Sequence, residues 1–283
     1  MAEEITEILQ KFALSTKELG GSELELGNVS PSVKECEESL VGKIKGEKVI
    51  NFVGVKNFVT LAWGYPKGLR VVEVGVNTFQ FFMANVKDRE RICTGGPWVI
   101  DSQILVIRPW FEGFEEKEVE FNIAPLWIQV WNLPVHWISK EVGKKIASVF
   151  HDTKEVIIPQ GGGKEGRHIK ILVLADISEP LMRGTTVKLE GKVKWLSFKY
   201  ERCPDFCYTC GKIGHSERNC SDGIQLGKGH QDNQFGPWLR AGGGGNHHRK
   251  KNQEVHNLHL YLLASKGGDL RMDSLFQYQM EGS

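Results

Sequence analysis

Apolar residues change their spacing along the chain, and each change marks an element. Ile5, Ile8, Leu9 and Phe12 recur at three- and four-residue intervals, one face of a short helix that Gly20-Gly21 ends. From there through Pro31 the pattern predicts extended or loose chain. Leu40-Val-Gly-Lys-Ile44 reads as a short strand, and Asn51 as the cap of a helix carrying Phe52, Val55, Phe58, Val59, Ala62 and Trp63, stopped by Gly64 and Pro66. Residues 69–74 and 79–83 are β-rich runs joined by the turn Gly75-Val-Asn77-Thr. Asn85 caps a second helix bearing Val86, Ile92 and Cys93, closed by Gly95-Gly96-Pro97, and residues 103–107 form a last strand. The order βαββαβ is that of the ferredoxin-like, split-βαβ architecture.

The pattern then restarts. Acids crowd residues 112–120 (Glu112, Glu115, Glu116, Glu118, Glu120), predicting a solvated connector. Leu126-Trp-Ile-Gln-Val-Trp131 is a strand, Asn132-Leu-Pro134 a turn, and Ser139 the cap of a helix with Val142, Ile146, Val149 and Phe150 on one face. Residues 155–159 and 168–175 read as paired strands across the loop 161–166, and 187–189 with 193–200 as another pair turning at Glu190-Gly191. The predicted class is therefore α+β. Its layout is an acidic N-terminal segment with a short helix (1–39), a ferredoxin-like domain (40–110), the connector (111–124), a second α/β unit (125–202), a Cys/His stretch (203–222) and a largely disordered tail (223–283).

Forty per cent apolar content is ordinary for a globular chain. The net charge of +1 hides an asymmetry, acidic before residue 39 and basic from Lys140 onward through Lys212, Arg218, Lys228, Arg240 and Arg249-Lys250-Lys251. A basic C-terminal half suits a polyanion. No apolar run reaches the length of a membrane span, and Met1-Ala-Glu-Glu opens nothing like a signal peptide. The expectation is an intracellular protein, nuclear or cytoplasmic and not secreted, with no membrane partner.

Reduced thiols point to metal in such a compartment. Cys207, Cys210, His215 and Cys220 stand at spacings that close a tetrahedron around Zn²⁺, with Gly211 and Gly214 available for the tight turns between them. So short a stretch has almost no core of its own, so zinc supplies its folding energy and the apo form is predicted to be a loose loop, a tethered appendage of the second sheet. Cys203, Cys36 and Cys93 fall outside the spacing and read as small packing residues. Tyr208 follows the first ligand, where a ring offers an unpaired base a stacking face, and Lys212 and Arg218 are placed for phosphate contacts.

The run Phe198-Lys-Tyr-Glu-Arg-Cys-Pro-Asp-Phe-Cys-Tyr-Thr-Cys-Gly-Lys-Ile-Gly-His, taken with Leu40-Val-Gly-Lys, Gly95-Gly-Pro-Trp98, Trp131-Asn-Leu-Pro134 and Phe235-Gly-Pro-Trp-Leu-Arg240, resembles a plant family. Its members are retrotransposon-derived, Gag-like proteins that pair a domain-of-unknown-function family 4283 region with a CCHC zinc knuckle. The likeness spans about residues 5–240, and the tail after about Lys251 lies outside it. It implies binding of single-stranded RNA or DNA through the knuckle. Ser216 stands after the histidine, where nucleocapsid knuckles often widen the platform with an apolar residue, which implies weaker, less selective binding.

An enzyme is not expected. Gly161-Gly-Gly-Lys lacks Walker spacing and a following Ser or Thr, His136, His151 and His168 are scattered, and no nucleophile stands with a base and an orienting group, so no small-molecule substrate is predicted. The rival reading is a protein-interaction or self-assembly module in which the zinc is only a structural clip. The tryptophans at 63, 98, 110, 127, 131, 137 and 195 serve either reading.

Overall fold

The computed structural model describes residue 15 and residues 26–114, 117–159, 168–189, 192–221 and 234–242. The predicted helix at Ile5–Phe12, the loop 161–166, the turn at Glu190-Gly191 and the tail beyond Gly242 lie outside the described residues.

The first sheet is built from β1 (Leu40–Lys45), β2 (Arg70–Gly75), β3 (Thr78–Phe82), β4 (Trp98–Ile100) and β5 (Gln103–Pro109), in the order β2-β3-β1-β5-β4. Preceding it is helix α1 (Leu26–Glu37), where loose chain was expected. Pro31 lies inside α1, but a proline removes one helical hydrogen bond and the Lys34–Glu37 turn carries good helix formers. Two further helices cross over: α2 (Phe52–Ala62) and α3 (Val86–Thr94). Their caps are local chemistry, with Asn51 Oδ1 accepting from Gly54 N (2.7 Å) and Asn85 Oδ1 from Lys87 N (3.0 Å). Three-residue β4 turns onto β5 through Asp101 and Ser102, both at positive φ.

The second sheet comprises β6 (Ile123–Trp131), β7 (Asp152–Ile157), β8 (Ile169–Asp176), β9 (Gly184–Leu189) and β10 (Lys192–Glu201), ordered β7-β8-β6-β10-β9. Adding five to each strand number of the first sheet reproduces this order, so the two sheets share one topology. Helix α4 (Lys140–Ala147), capped by Ser139 Oγ from Val142 N (3.2 Å), lies against β7 and β8 as the first crossover. The second crossover holds no helix: the chain from Ile177 to Arg183 runs directly from β8 to β9.

Paired residues of an antiparallel ladder share a face, so the registers assign every side chain. In the first sheet Leu40, Ile44, Phe79, Phe81, Leu105 and Ile107 face α2 and α3 and close a core with Val55, Val59, Trp63 and Ile92. On its other face Val41, Ile104 and Val106 join a second, larger cluster. There they meet the α4 face of the second sheet, with Leu126, Ile128, Ile171, Phe198 and Tyr200, and the connector's Phe114 and Phe121. The acids of the connector thus accompany two phenylalanines that are 3% and 0% exposed. Arg108 donates to the Ile123 carbonyl across the same junction.

Candidate metal centre

The segment after β10 folds into a small hairpin. Phe206 bridges Ile213 antiparallel, Gly211 N donates to the Cys207 carbonyl (2.8 Å), and Cys207 N to the Lys212 carbonyl (2.9 Å). Gly211 and Gly214 take φ of +81° and +98°, backbone that a side chain would strain. A 3-10 turn at Glu217–Asn219 then returns Cys220. The result gathers Cys207, Cys210, His215 and Cys220 with all their donor atoms within 4.8 Å of one another, and Cys210 Sγ 3.2 Å from His215 Nε2. Zn–S and Zn–N bonds of about 2.3 and 2.0 Å place tetrahedral ligand atoms about 3.5–3.8 Å apart, so the donor set fits zinc. Burial, with Cys220 and Cys207 close by, pushes the Cys210 thiol up to about 12. Sulfurs so crowded become thiolates together only beside a cation. Cys203 lies outside the cluster; burial pushes its thiol up to about 12 and it packs in the large core.

The hairpin is more than a tethered appendage. Phe206 and Ile213 belong to the core shared by the sheets, so this stretch borrows hydrophobic packing that its own length cannot supply. Leu181 N donates to the Gly211 carbonyl (2.9 Å), tying the hairpin to the second sheet's helix-free crossover. Asp205 N donates to the Ser102 carbonyl (2.6 Å) and Ser216 N to Glu47 Oε1 (2.7 Å), tying it to the first sheet. That backbone hydrogen bond from Ser216 holds the Glu47 carboxyl below its ordinary range.

A further clamp comes from Gln234–Gly242. Phe235 lies on Gly211, so that a Cβ there would sit 2.4 Å from the ring. Arg240 Nη1 donates to the Cys203 carbonyl (2.5 Å), its Nη2 pairs with Asp205 (3.0 Å), and Ala241 N donates to the Tyr200 carbonyl (2.8 Å). Leu239 is 1% exposed in the core. Nothing in local spacing announced this role, and the segment fell within the stretch expected to be a largely disordered tail; the signals were the family resemblance carried by Phe235-Gly-Pro-Trp-Leu-Arg240 and its apolar cluster standing in polar chain.

Of the residues assigned to nucleic acid, Tyr208 is half-buried and edge-on to Phe206 (5.1 Å, 63°), Lys212 is half-buried in the hairpin turn, and Arg218 is exposed on the 3-10 turn.

Fold and site together define an α+β protein carrying a CCHC zinc knuckle. Residues 32–118 match the family described as "Domain of unknown function (DUF4283)", and residues 175–222 match the family described as "Zinc knuckle". The chain thus holds both domains. No curated protein matches it in sequence. Among solved structures it is similar to the N-terminal three RNA-binding domains of the yeast splicing factor Prp24, at 11% identity and TM-score 0.22 over 60% of this chain and 67% of that one. It is also similar to the first two RRM domains of the yeast poly(U)-binding protein Pub1, at 14% identity and TM-score 0.20 over 57% and 98%. A third is a Sxl-lethal protein–RNA complex, at 14% and 0.23 over 57% and 98%. Likeness at this level defines no shared ligand. Among the described residues no helix is long and apolar enough to cross a membrane.

Proposed function

We propose that this protein is a zinc-dependent binder of single-stranded RNA or DNA, of the plant retrotransposon Gag-like type, working inside the cell and catalysing no reaction. The observation that carries the reading is the position of Tyr208: it follows ligand Cys207 in the hairpin whose four donors converge, so closing the metal site also fixes the ring. An unpaired base stacks on such a ring, which a duplex denies, while Lys212 and Arg218 hold phosphates without regard to sequence. Zinc supplies charge to bind the donors and no chemistry beyond that.

The test is binding of the zinc-loaded full chain to single- and double-stranded RNA and DNA across a salt series. The expected result is a preference for single strands and a steep loss of affinity with salt. Tyr208→Ala is expected to cost about 1–3 kcal/mol and to leave the salt slope alone. Replacing Lys212 and Arg218 together by Ala is expected to flatten the slope by up to about 1.4, at about 0.7 per phosphate contact. Parent protein that binds neither strand type at low salt overturns the reading. A second reading then takes over, an assembly or interaction module with a structural zinc, and the knuckle's hydrogen bonds to both sheets are the observation that favours it.

A further inference from the structure

The face of the second sheet turned away from α4 carries three tryptophans. Register places Trp127, Gln129 and Trp131 of β6 on one face with Leu172 and Lys170 of β8, with Glu201, Lys199 and Ser197 of β10, and with Trp195, which pairs Thr186 of β9. Among the described residues none of the three indoles belongs to either core, and each is half-buried. Trp195 packs on β9 at Gly184, where a Cβ would come within 2.5 Å of the ring. Trp127 and Trp131 stand two pleats apart, about 13 Å at the usual rise per residue.

Each β6 indole has a lysine beside it. Lys170 Nζ lies 5.4 Å from the Trp127 ring and Lys199 Nζ 5.1 Å from the Trp131 ring. His168 lies flat on Trp131 at 4.7 Å and 19°. A polar chain fixes the group, with Trp131 Nε1 donating to Gln129 Oε1 (3.0 Å), Gln129 Nε2 to Glu201 Oε1 (2.7 Å), and Lys170 pairing with Glu201 (2.8 Å).

We infer that this face is a second binding surface for single-stranded nucleic acid, acting beside the knuckle; the inference rests on the proposed function. Protein interfaces are depleted in lysine, whereas single-strand surfaces interleave basic and aromatic side chains in this way. A lysine over a solvated indole is a weaker contact than a stacked base. A base displaces the ammonium from the ring, and the displaced lysine meets the phosphate that arrives with the base. His168 on Trp131 begins a stack that a further base extends. Register also puts four acids on this face, Asp152, Glu155, Asp176 and Glu201, so its net charge is not basic; Asp176 pairs Ile123 at the far end of β6, while Lys199 and Lys188 stand on β10 and β9 toward Trp131.

The test uses the zinc-loaded full chain and a labelled mixed-sequence single-stranded RNA. Ultraviolet crosslinking of the parent is expected to label peptides covering residues 123–131 as well as the knuckle. Trp127→Ala and Trp131→Ala are each expected to weaken binding at least about fivefold, the lower end for a base stacked on an aromatic. Trp127→Phe retains most of the affinity, and Lys170→Gln with Lys199→Gln flattens the salt slope without disturbing a core residue. Indole variants that keep their zinc and thermal midpoint and bind like the parent, while Tyr208→Ala binds weakly, overturn this inference and leave the proposed function standing. Crosslinks confined to the knuckle do the same. Indole variants that lose self-association but not RNA binding overturn it in favour of a protein interface. A parent that binds no nucleic acid overturns both.

Discussion

The two sheets have the same strand order and opposite surroundings. In the first, two helices cover one face and the shared core covers the other through Val41, Ile104 and Val106. In the second, α4 stands on the core face, the second crossover has no helix, and the corresponding outer face keeps Trp127, Gln129 and Trp131 half-buried. The metal hairpin supplies what that crossover lacks, since Phe206, Ile213 and Leu181 enter the core together and Leu181 bonds to Gly211. One topology thus gives a sheet with both faces used, and a sheet completed by the Cys/His hairpin whose outer face keeps its indoles half-buried and outside both cores.

Removing the metal breaks the comparison most severely. Zinc is worth about 10–16 kcal/mol to finger peptides at neutral pH, as much as the whole stability of a typical domain, about 5–15 kcal/mol. Chelation, or Cys210→Ser, is expected to speed amide exchange in β9, β10 and the 177–183 crossover far more than in β2 and β3. Exchange changes confined to residues 207–220 would mean that the hairpin is an appendage after all, and that the second sheet stands without it.

Ile104→Ala tests the junction from the other side. Ile104 is 1% exposed on the outer face of the first sheet, within the core that otherwise belongs to the second. The truncation is expected to cost about 2–5 kcal/mol and to lower the stability of both sheets in one transition. Separate transitions, with only the first sheet weakened, would show two units that merely touch.

Locally encoded features were legible in the sequence. Asn51, Asn85 and Ser139 cap their helices because a side-chain oxygen needs only the next two or three amides. The four metal donors are legible because spacing within fourteen residues decides their geometry. Features set by distant contacts were not. β4, at three residues, is too short to show a period, and it exists because Trp98, Val99 and Ile100 pair with β5. The acidic connector hid its buried Phe114 and Phe121 among glutamates. In Leu126-Trp-Ile-Gln-Val-Trp131 the tryptophans read as apolar on both alternations, so only the register shows that the indoles lie on the face without the core.

The smallest expected effect concerns Glu201, on the outer face where the two sheets differ most. Burial pushes its pKa up, but hydrogen bonds from Gln129 and Lys170 outweigh that and hold the carboxyl below its ordinary value near 4.5. A carboxyl depressed on folding contributes stability that is present above its unfolded pKa and is lost as pH falls through the folded one. Glu201 and Lys170 are 23% and 28% exposed and solvent screens them, so the contribution is under about 1 kcal/mol. Acid also releases zinc from protonated thiols in any variant, which makes the difference between two proteins the useful quantity. At pH 7 the parent is expected to resist urea slightly better than Glu201→Gln, and the gap to close on acidification below pH 4.5. A gap that persists unchanged at low pH would show that Glu201 acts there by shape and hydrogen bonding alone, and that its charge does nothing to hold Lys170 beside the indoles.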